Sequence, residues 1–244
     1  LNSNRLFTET TIGALRMQKD SAEQKILRVN AYQADQAMQK AWDIIKPGLT
    51  EENIALEIQN SFSDQGALPQ FSIVASGSNS AFPHHQTGSR ILKEGDTIMI
   101  DLGGKFKDYS SDITRMSTVG PPSKDYALVH QIVEEAICAA LAAANPGEIA
   151  KNVDKAAREV IEKAGFGKYF IHRTGHGLGI EIHEPPFITS TSETILESGM
   201  VFSIEPGIYM PDKFGVRLEE VIILKDSGPE ILSKIPRELK VITN

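Results

Sequence analysis

The stretch "LKEGDTIMIDLG" (92–103) decides the fold, because the chain repeats it as "LESGMVFSIEPG" (196–207). At one fixed offset the two stretches share Leu, Gly, Ile, an acidic residue and a final Gly, so that Asp101 aligns with Glu205. Each is a short apolar run bounded by glycine, which predicts a buried strand. Each predicted strand therefore ends in a carboxylate.

A second repeat lies upstream of the first in each half of the chain. "KPGLTEENIALEIQNSFSDQG" (46–66) and "NPGEIAKNVDKAAREVIEKAG" (145–165) share Pro-Gly, an Asn and a final Gly, and their offset aligns His84 with His183. Two matches in the same order indicate an internal duplication. No linker rich in Pro, Gly or Ser separates the halves into independent domains.

Local signals predict the same elements in both halves. A capping-box pattern at Ser21 opens a helix that runs to the Pro-Gly break, and Thr50 and Ser123 are predicted N-caps of two more. A fourth helix closes at Gly165. Each acidic strand is followed by a turn-like patch and a second strand, which predicts two hairpins. The predicted fold class is α+β, with the acidic strand ends meeting at a pseudo-twofold axis.

Composition and charge exclude several classes of function. The chain of 244 residues has 41% hydrophobic and 23% charged residues, which is typical of a globular protein. A net charge of −7, without a Lys/Arg-rich run, argues against binding to nucleic acid or anionic membranes. No apolar run approaches the roughly 18 residues of a membrane span. The single cysteine, Cys138, and the absence of a signal peptide favour a cytoplasmic location.

The carboxylates at the strand ends need partners, because a buried charge is costly unless something pairs with it. One interpretation is structural: Asp101 and Glu205 each accept hydrogen bonds from backbone amides or meet an arginine, for which Arg115 and Arg217 are available. The second interpretation is a site that binds cations.

Each hairpin returns a second acid, Asp112 in "SSDITR" and Glu219 in "VRLEE", so that four carboxylates converge. They cannot all ionise without countercharge, which two divalent cations would supply. Four carboxylates and an imidazole suit Mn²⁺, Co²⁺, Fe²⁺ or Zn²⁺. Two such ions roughly 3.5–4 Å apart would lower the pKa of a shared water, which is hydrolytic chemistry.

The stretch "TGHGLGIEIHEPP" (174–186) supplies the imidazole. Gly175 and Gly177 let the backbone pass close to a crowded site, so we expect His176 to reach a metal ion. His183, several residues further on, is then free to face a substrate.

Four stretches of the chain together resemble the pita-bread metallopeptidases of family M24. They are "PHHQTGSRILKEGDTIMIDLGGKFKDYSSDITR", "GHGLGIEIHEPP", "GMVFSIEPGIY" and "GVRLEE". These include Xaa-Pro dipeptidase (prolidase), Xaa-Pro aminopeptidase and methionine aminopeptidase. The resemblance extends from about Leu15 to the C-terminus, and it implies a pseudo-twofold duplicated helix pair with antiparallel strands in a curved sheet.

The resemblance implies five metal ligands: Asp101, Asp112, His176, Glu205 and Glu219. By position, Asp101 and Asp112 would hold one metal ion and His176 would complete the other, with Asp112 and Glu219 as bridges. Glu205 would also help to take the proton from the attacking water.

The resemblance gives the histidines different roles. His183 would stabilise the developing oxyanion, and His84, which follows Pro as in the family pattern, would contact the substrate near the scissile bond in preference to His85. His172 either lines the substrate pocket or simply lies in a strand. His130 is expected to be structural or exposed.

Pro185-Pro186 after His183, and the "PH" at 83–84, resemble the Xaa-Pro branch more than the methionine branch. The implied activity is that of a metallo-exopeptidase that cleaves between an N-terminal residue and proline.

The resemblance also implies cofactors and partners. The protein would use two divalent ions per chain, with Mn as the first choice and Co, Zn or Fe as alternatives. The implied substrate is a peptide with proline at its second position, and the implied assembly is a homodimer. The alternatives are a methionine aminopeptidase and a non-catalytic module that binds peptides or proteins.

For domain organisation we expect residues 1–13 to be a tail or the remnant of an interdomain linker, and residues 14–244 to be the catalytic domain. Xaa-Pro enzymes of the family usually carry an N-terminal domain, so we expect such a domain to be missing from this sequence. Glu220 stands where many relatives have Asp, and the adjacent ligand Glu219 is unaffected.

Overall fold

The computed structural model describes residues 12–243. Its helices are α1 (Ile12–Met17), α2 (Ser21–Ile44), α3 (Glu51–Asp64), α4 (Lys124–Ala143) and α5 (Ala150–Lys163). Its strands are β1 (Leu68–Ser76), β2 (Thr97–Phe106), β3 (Tyr109–Ser110), β4 (Ile113–Val119), β5 (Gly175–Gly177), β6 (Glu184–Ile188), β7 (Val201–Ile204), β8 (Gly207–Met210), β9 (Phe214–Arg217), β10 (Glu220–Lys225), β11 (Gly228–Ile231) and β12 (Lys240–Ile242). Most of the expected N-terminal tail, residues 1–11, lies outside the described residues.

The strands form two large sheets and one small one, as expected for an α+β protein. The first sheet has the order β1-β2-β4-β12 with β3 paired to β2, and the second has the order β11-β10-β7-β5-β6. Strands β8 and β9 pair as a separate hairpin. Strand β12 runs parallel to β4, whereas β2 and β4, and likewise β7 and β10, run antiparallel.

The two halves repeat individual hydrogen bonds, which confirms the duplication. The Gly48 N–H donates to the Leu92 carbonyl at 3.0 Å, and the Gly147 N–H donates to the Leu196 carbonyl at 2.8 Å. The residues of these two pairs correspond at the two offsets of the sequence repeats. Gly48 and Gly147 both have a positive φ, +93° and +89°, which only glycine adopts readily.

Three of the predicted helix starts agree with the structure, one with a shift in register. Asp20, not Ser21, caps α2: its carboxylate accepts the Glu23 N–H at 2.9 Å, and the Glu23 carboxylate accepts the Asp20 N–H at 2.7 Å. The capping-box pattern also fits one residue earlier, because Asp and Ser are both good caps. Thr50 and Ser123 cap α3 and α4 as expected.

Each helix pair packs on its own sheet. Helices α2 and α3 cover one face of the first sheet, and α4 and α5 cover the second sheet. Side chains alternate along a strand, so Ile98 and Ile100 of β2 face α2 and α3, whereas Met99 packs into the other core. Asp101 shares the face of Met99 and therefore points between the two halves.

Helix α4 has the length and the apolar composition of a membrane span, and it is the one such helix within residues 12–243. Glu134 and Glu135 interrupt its apolar residues, so the expectation that no apolar run approaches 18 residues holds. Half of this stretch is buried inside the structure. Its side chains Val133, Ala136 and Ile137 pack in the core, which accounts for the high hydropathy.

Candidate metal centre and active site

A cavity of about 580 Å³ lies where the two halves meet. The structure brings to its wall every residue that the sequence placed in the site. These are Asp101, Asp112, His176, Glu205 and Glu219, together with His84, His172 and His183.

The five candidate ligands come from both halves. Asp101 lies in β2 and Asp112 just before β4, whereas His176 lies in β5, Glu205 follows β7 and Glu219 precedes β10. Ligand atoms of Asp112, His176 and Glu219 all lie within 4.8 Å of one another. A metal ion could therefore be held by side chains whose positions depend on the docking of the two halves.

The glycines on either side of His176 allow β5 to pass through a crowded region. A Cβ atom at Gly175 would lie 1.9 Å from the Ser203 carbonyl oxygen, and one at Gly177 would lie 2.2 Å from the Pro185 carbonyl oxygen. Neither distance is compatible with a side chain, so the expected close approach of the backbone is confirmed.

The His176 ring is oriented with one nitrogen toward the carboxylates. Its Nδ1 lies 3.1 Å from the Gly177 carbonyl oxygen, which can only accept, so Nδ1 carries a proton and donates it there. Its Nε2 lies 3.2 Å from Glu205 Oε1 and 3.7 Å from Asp112 Oδ2. Fixing the tautomer through the second nitrogen is how proteins orient a ligand histidine.

One of the two repeated acids, Asp101, does meet an arginine, and it lies inside β2 and not at its end. Arg217 Nη2 donates to Asp101 Oδ2 at 2.6 Å, as the structural interpretation expected. Arg115 instead binds Glu220, at 2.8 Å, and Glu205 pairs with His176. The arginines therefore neutralise one of the four converging carboxylates directly and leave three.

Burial and mutual repulsion favour the protonated forms of two of these acids. The pKa of Asp112 is raised well above its usual value, first by burial and then by the charges of Glu219 and Asp101. The pKa of Glu219 is also raised well above its usual value, first by burial and then by Glu205 and Asp101. The ionised forms of these neighbouring carboxyl groups repel one another, and added positive charge would relieve the repulsion.

The other two acids have specific partners. Burial raises the pKa of Asp101, although the Arg217 charge works against it. Burial also acts to raise the pKa of Glu205, but the hydrogen bond and the charge of His176 outweigh it and lower the pKa to about 2.

Two buried oxygens of the site lack a donor within residues 12–243: Asp101 Oδ1 and Glu219 Oε1. An unsatisfied buried acceptor costs about 1–3 kcal/mol and more when charged. Divalent cations held by these carboxylates would give such oxygens a partner and would also offset the converging charges. Carboxylates with one imidazole suit Mn²⁺, Co²⁺, Fe²⁺ or Zn²⁺, so the residues present fit such an ion.

His183 contacts the metal-ligand candidate His176 directly. The two rings pack edge to face with centroids 4.3 Å apart. Burial, with the positive charges of His176 and Arg173, lowers the pKa of His183 to about 4. The ring is therefore neutral near pH 7 and has one N–H to offer to the cavity.

The sequence left His172 between two interpretations, and the structure places it on the cavity wall. Its Nε2 lies 2.8 Å from the Tyr209 hydroxyl and its Nδ1 lies 2.7 Å from the Arg173 carbonyl oxygen. Burial lowers the pKa of His172 to about 4.

The remaining three histidines lie in three different places. His84 lines the cavity, whereas His85 turns toward α3, where its Nε2 lies 2.9 Å from Glu51 Oε2. His130 is buried in α4, and burial lowers its pKa. It is not among the residues that line the cavity.

Sequence reasoning missed part of the cavity wall. Arg173 lines it, as do the apolar side chains Phe71, Ile73 and Ile182. Phe71 and Ile73 stand two apart in β1 and so face the same side. The alternation in "FSI" could have indicated this strand.

Comparison with known proteins identifies the relatives of the chain. Residues 25–226 match the profile of metallopeptidase family M24. The Xaa-Pro dipeptidase of Pyrococcus furiosus is 41% identical over 233 residues, which are 95% of this chain and 67% of that protein. The probable dipeptidase PepE of Mycobacterium tuberculosis is 39% identical over 230 residues, 93% of this chain and 61% of that protein.

Solved structures give the same result. The prolidase of Pyrococcus furiosus superposes with a TM-score of 0.92 at 41% identity, covering 94% of this chain and 68% of that chain. The X-Pro aminopeptidase of Thermotoga maritima superposes with a TM-score of 0.93 at 38% identity, covering 96% and 67%. The chain thus spans roughly three fifths to two thirds of the length of these relatives.

Proposed function

The chain belongs to metallopeptidase family M24, and from this premise we propose that it hydrolyses the peptide bond between an N-terminal residue and proline. It has the α+β pita-bread fold of its structural neighbours. The observation that carries the proposal is the convergence of four carboxylates and His176 on one cavity. Within the proposal, residues 14–244 form the catalytic domain and the protein is a homodimer.

The proposed metal centre uses the five converging ligands. Asp101 and Asp112 would hold one divalent ion, His176 would complete the site of a second, and Asp112 and Glu219 would serve both ions. Glu205 is the remaining ligand. When bound, such a pair of ions would polarise the scissile carbonyl. It would also lower the pKa of a water molecule, so that hydroxide is available as the nucleophile near neutral pH. We propose Mn²⁺ as the native ion, with Co²⁺, Zn²⁺ or Fe²⁺ as alternatives.

The side chains around the centre have separate roles in this proposal. Glu205 accepts a proton from the attacking water. The neutral ring of His183 donates a hydrogen bond to the carbonyl oxygen as negative charge develops there, an interaction that is often worth about 3 kcal/mol. His84 contacts the substrate next to the scissile bond.

The apolar part of the cavity supports proline as the second residue. Phe71, Ile73 and Ile182 line the same cavity as the ligands. A proline ring is apolar and has no amide N–H that would need an acceptor. Such a wall therefore suits proline.

A metal-reconstituted activity panel tests the proposal. Protein stripped of metal is loaded with Mn²⁺ and incubated with Xaa-Pro dipeptides, Xaa-Pro tripeptides and Met-Ala peptides. We expect cleavage at Xaa-Pro. Release of methionine from Met-Ala, with Xaa-Pro peptides left intact, would assign the chain to the methionine branch. Less than one equivalent of bound metal after reconstitution would favour a non-catalytic binding module. The dipeptides and tripeptides separate dipeptidase from aminopeptidase activity.

A further inference from the structure

A buried ion cluster joins the N-terminal segment to the strand that follows His183. Lys19 Nζ lies 2.6 Å from Glu184 Oε1, and Arg16 Nη2 lies 2.8 Å from Glu184 Oε2. The side chains of Lys19 and Glu184 are only 2% and 3% exposed. The proposed chemistry uses none of these three residues.

The loop between β5 and β6 packs on this cluster. A Cβ atom at Gly179 would lie 2.8 Å from both Glu184 Oε1 and Lys19 Cε, so the loop backbone passes directly over the ion pair. The Glu181 N–H donates to Glu184 Oε2 at 3.3 Å. The Gly179 carbonyl accepts the Ser110 N–H at 2.8 Å. The cluster therefore contacts the loop along its length and not only at its end.

Two parts of the proposed active site are attached to this loop. His183 is its last residue and immediately precedes Glu184. Ser110, which the loop holds through Gly179, stands two residues before Asp112. The loop has no regular secondary structure of its own. Its position therefore depends on such anchors.

Removing only one charge of the cluster is unfavourable. A buried carboxylate or ammonium left without its partner costs several kcal/mol, so Lys19 and Glu184 hold one another in place. Lys19 comes from the segment after α1, 165 positions away in the chain. The contact thus ties the loop to a distant element and not to its own sheet.

We propose that Lys19 and Arg16, acting through Glu184, are positioning residues that set the placement of His183 for the reaction. The inference rests on the proposed function. It makes α1 and the residues that follow it part of the catalytic unit, although α1 contributes no side chain to the cavity wall.

Steady-state kinetics test the inference with Lys19→Met and Glu184→Gln, which keep side-chain size and remove one charge each. We expect unchanged metal content, KM within about twofold, and kcat lowered by between about 10- and 100-fold, because small displacements of a catalytic group cost that much. The kcat of the double variant is expected to be only slightly lower than that of the more impaired single variant, because the two residues act as one unit. Arg16→Met, which keeps the buried Lys19–Glu184 pair, covers the case in which a single variant fails to fold.

Arg28→Met is the matched control. It removes a two-pronged ion pair with Glu230, at 2.6 and 2.7 Å, that also joins the N-terminal part of the chain to a distant strand. We expect it to retain kcat. Equal kcat losses in Arg28→Met and Lys19→Met, at equal thermal stability, would overturn the positioning role.

Hydrogen exchange of peptides covering residues 177–183 separates this inference from the proposed function. It is measured on metal-free protein and needs no activity. We expect faster exchange in Lys19→Met than in the wild type and in Arg28→Met. Unchanged exchange would refute the inference. Absence of Xaa-Pro hydrolysis by the wild type, with faster loop exchange in Lys19→Met, would refute the proposed function and leave the anchoring of the loop supported.

Discussion

Arg115 and Glu220 occupy equivalent positions in the two halves of the chain, and they bind each other. Arg115 pairs with Ile100 across β2 and β4, and Glu220 pairs with Ile204 across β7 and β10, at matching positions of the repeat. Arg115 Nη2 lies 2.8 Å from Glu220 Oε1, and both side chains are buried. Two equivalent residues in contact must lie on either side of the pseudo-twofold axis. The axis therefore passes between Arg115 and Glu220.

Removing one partner of this pair should destabilise the fold. Glu220→Leu leaves the Arg115 charge buried without its carboxylate, and we expect a loss of about 3–5 kcal/mol in the free energy of unfolding. Urea denaturation measures it. The double variant Arg115→Met with Glu220→Leu should lose less than the sum of the single variants. A loss below about 1 kcal/mol for Glu220→Leu would contradict the assignment.

Asp112→Ala should abolish both metal binding and hydrolysis, because the proposed bridging ligand serves both ions. Elemental analysis after reconstitution and an Xaa-Pro assay check the two effects. Asp108→Asn is a suitable control, because Asp108 is exposed in a turn at φ +65°, which asparagine tolerates. Full metal content in Asp112→Ala would remove this residue from the centre.

His183→Ala should keep the metal and lose turnover. Removing one donor to a developing oxyanion costs about 10²–10³ in kcat. His85→Gln should retain kcat, because His85 contacts Glu51 and is not part of the cavity wall. Wild-type kcat in His183→Ala would show that the oxyanion is stabilised elsewhere.

Metal binding should release protons. The pKa values of Asp112 and Glu219 are raised well above their usual values, so these acids retain protons in the metal-free protein that a cation must displace. The apparent affinity for Mn²⁺ should therefore rise with pH. Calorimetry in two buffers of different ionisation enthalpy measures the released protons directly. Identical heats in the two buffers would show that no proton leaves.

His130 should make the fold sensitive to mild acid. Burial lowers its pKa, so the unfolded chain takes up a proton, near pH 6.5, that the folded chain resists. The stability contributed by the neutral ring is complete above this pH and is lost as the pH falls below it. The stability difference between the wild type and His130→Gln should therefore shrink by up to about 1.4 kcal/mol per pH unit below pH 6.5. Urea denaturation of metal-free protein across pH 5–8 tests this slope, and a constant difference would contradict it.

The sequence by itself determined the duplicated architecture and most of the candidate site. Repeats and hydrophobic periodicity reflect local conformation, which neighbouring residues specify, so the end of β7 at Glu205 and the Thr50 and Ser123 caps could be predicted. The predicted strand end at Asp101 was wrong, because β2 continues to Phe106. The acids Asp101 and Glu205 followed from a repeat that places equivalent residues at a common axis. The roles of these residues in catalysis stay predictions.

Only the tertiary structure decided the partners. Arg217 binds Asp101, and Lys19 binds Glu184 across 165 positions of the chain. Such pairs depend on how packed elements bring distant side chains together, and periodicity carries no information about that. The sequence could not decide the position of His172 either, because its contact with the Tyr209 hydroxyl joins residues that are distant in the chain. Burial, which sets the pKa values at the site, is likewise a property of the folded whole.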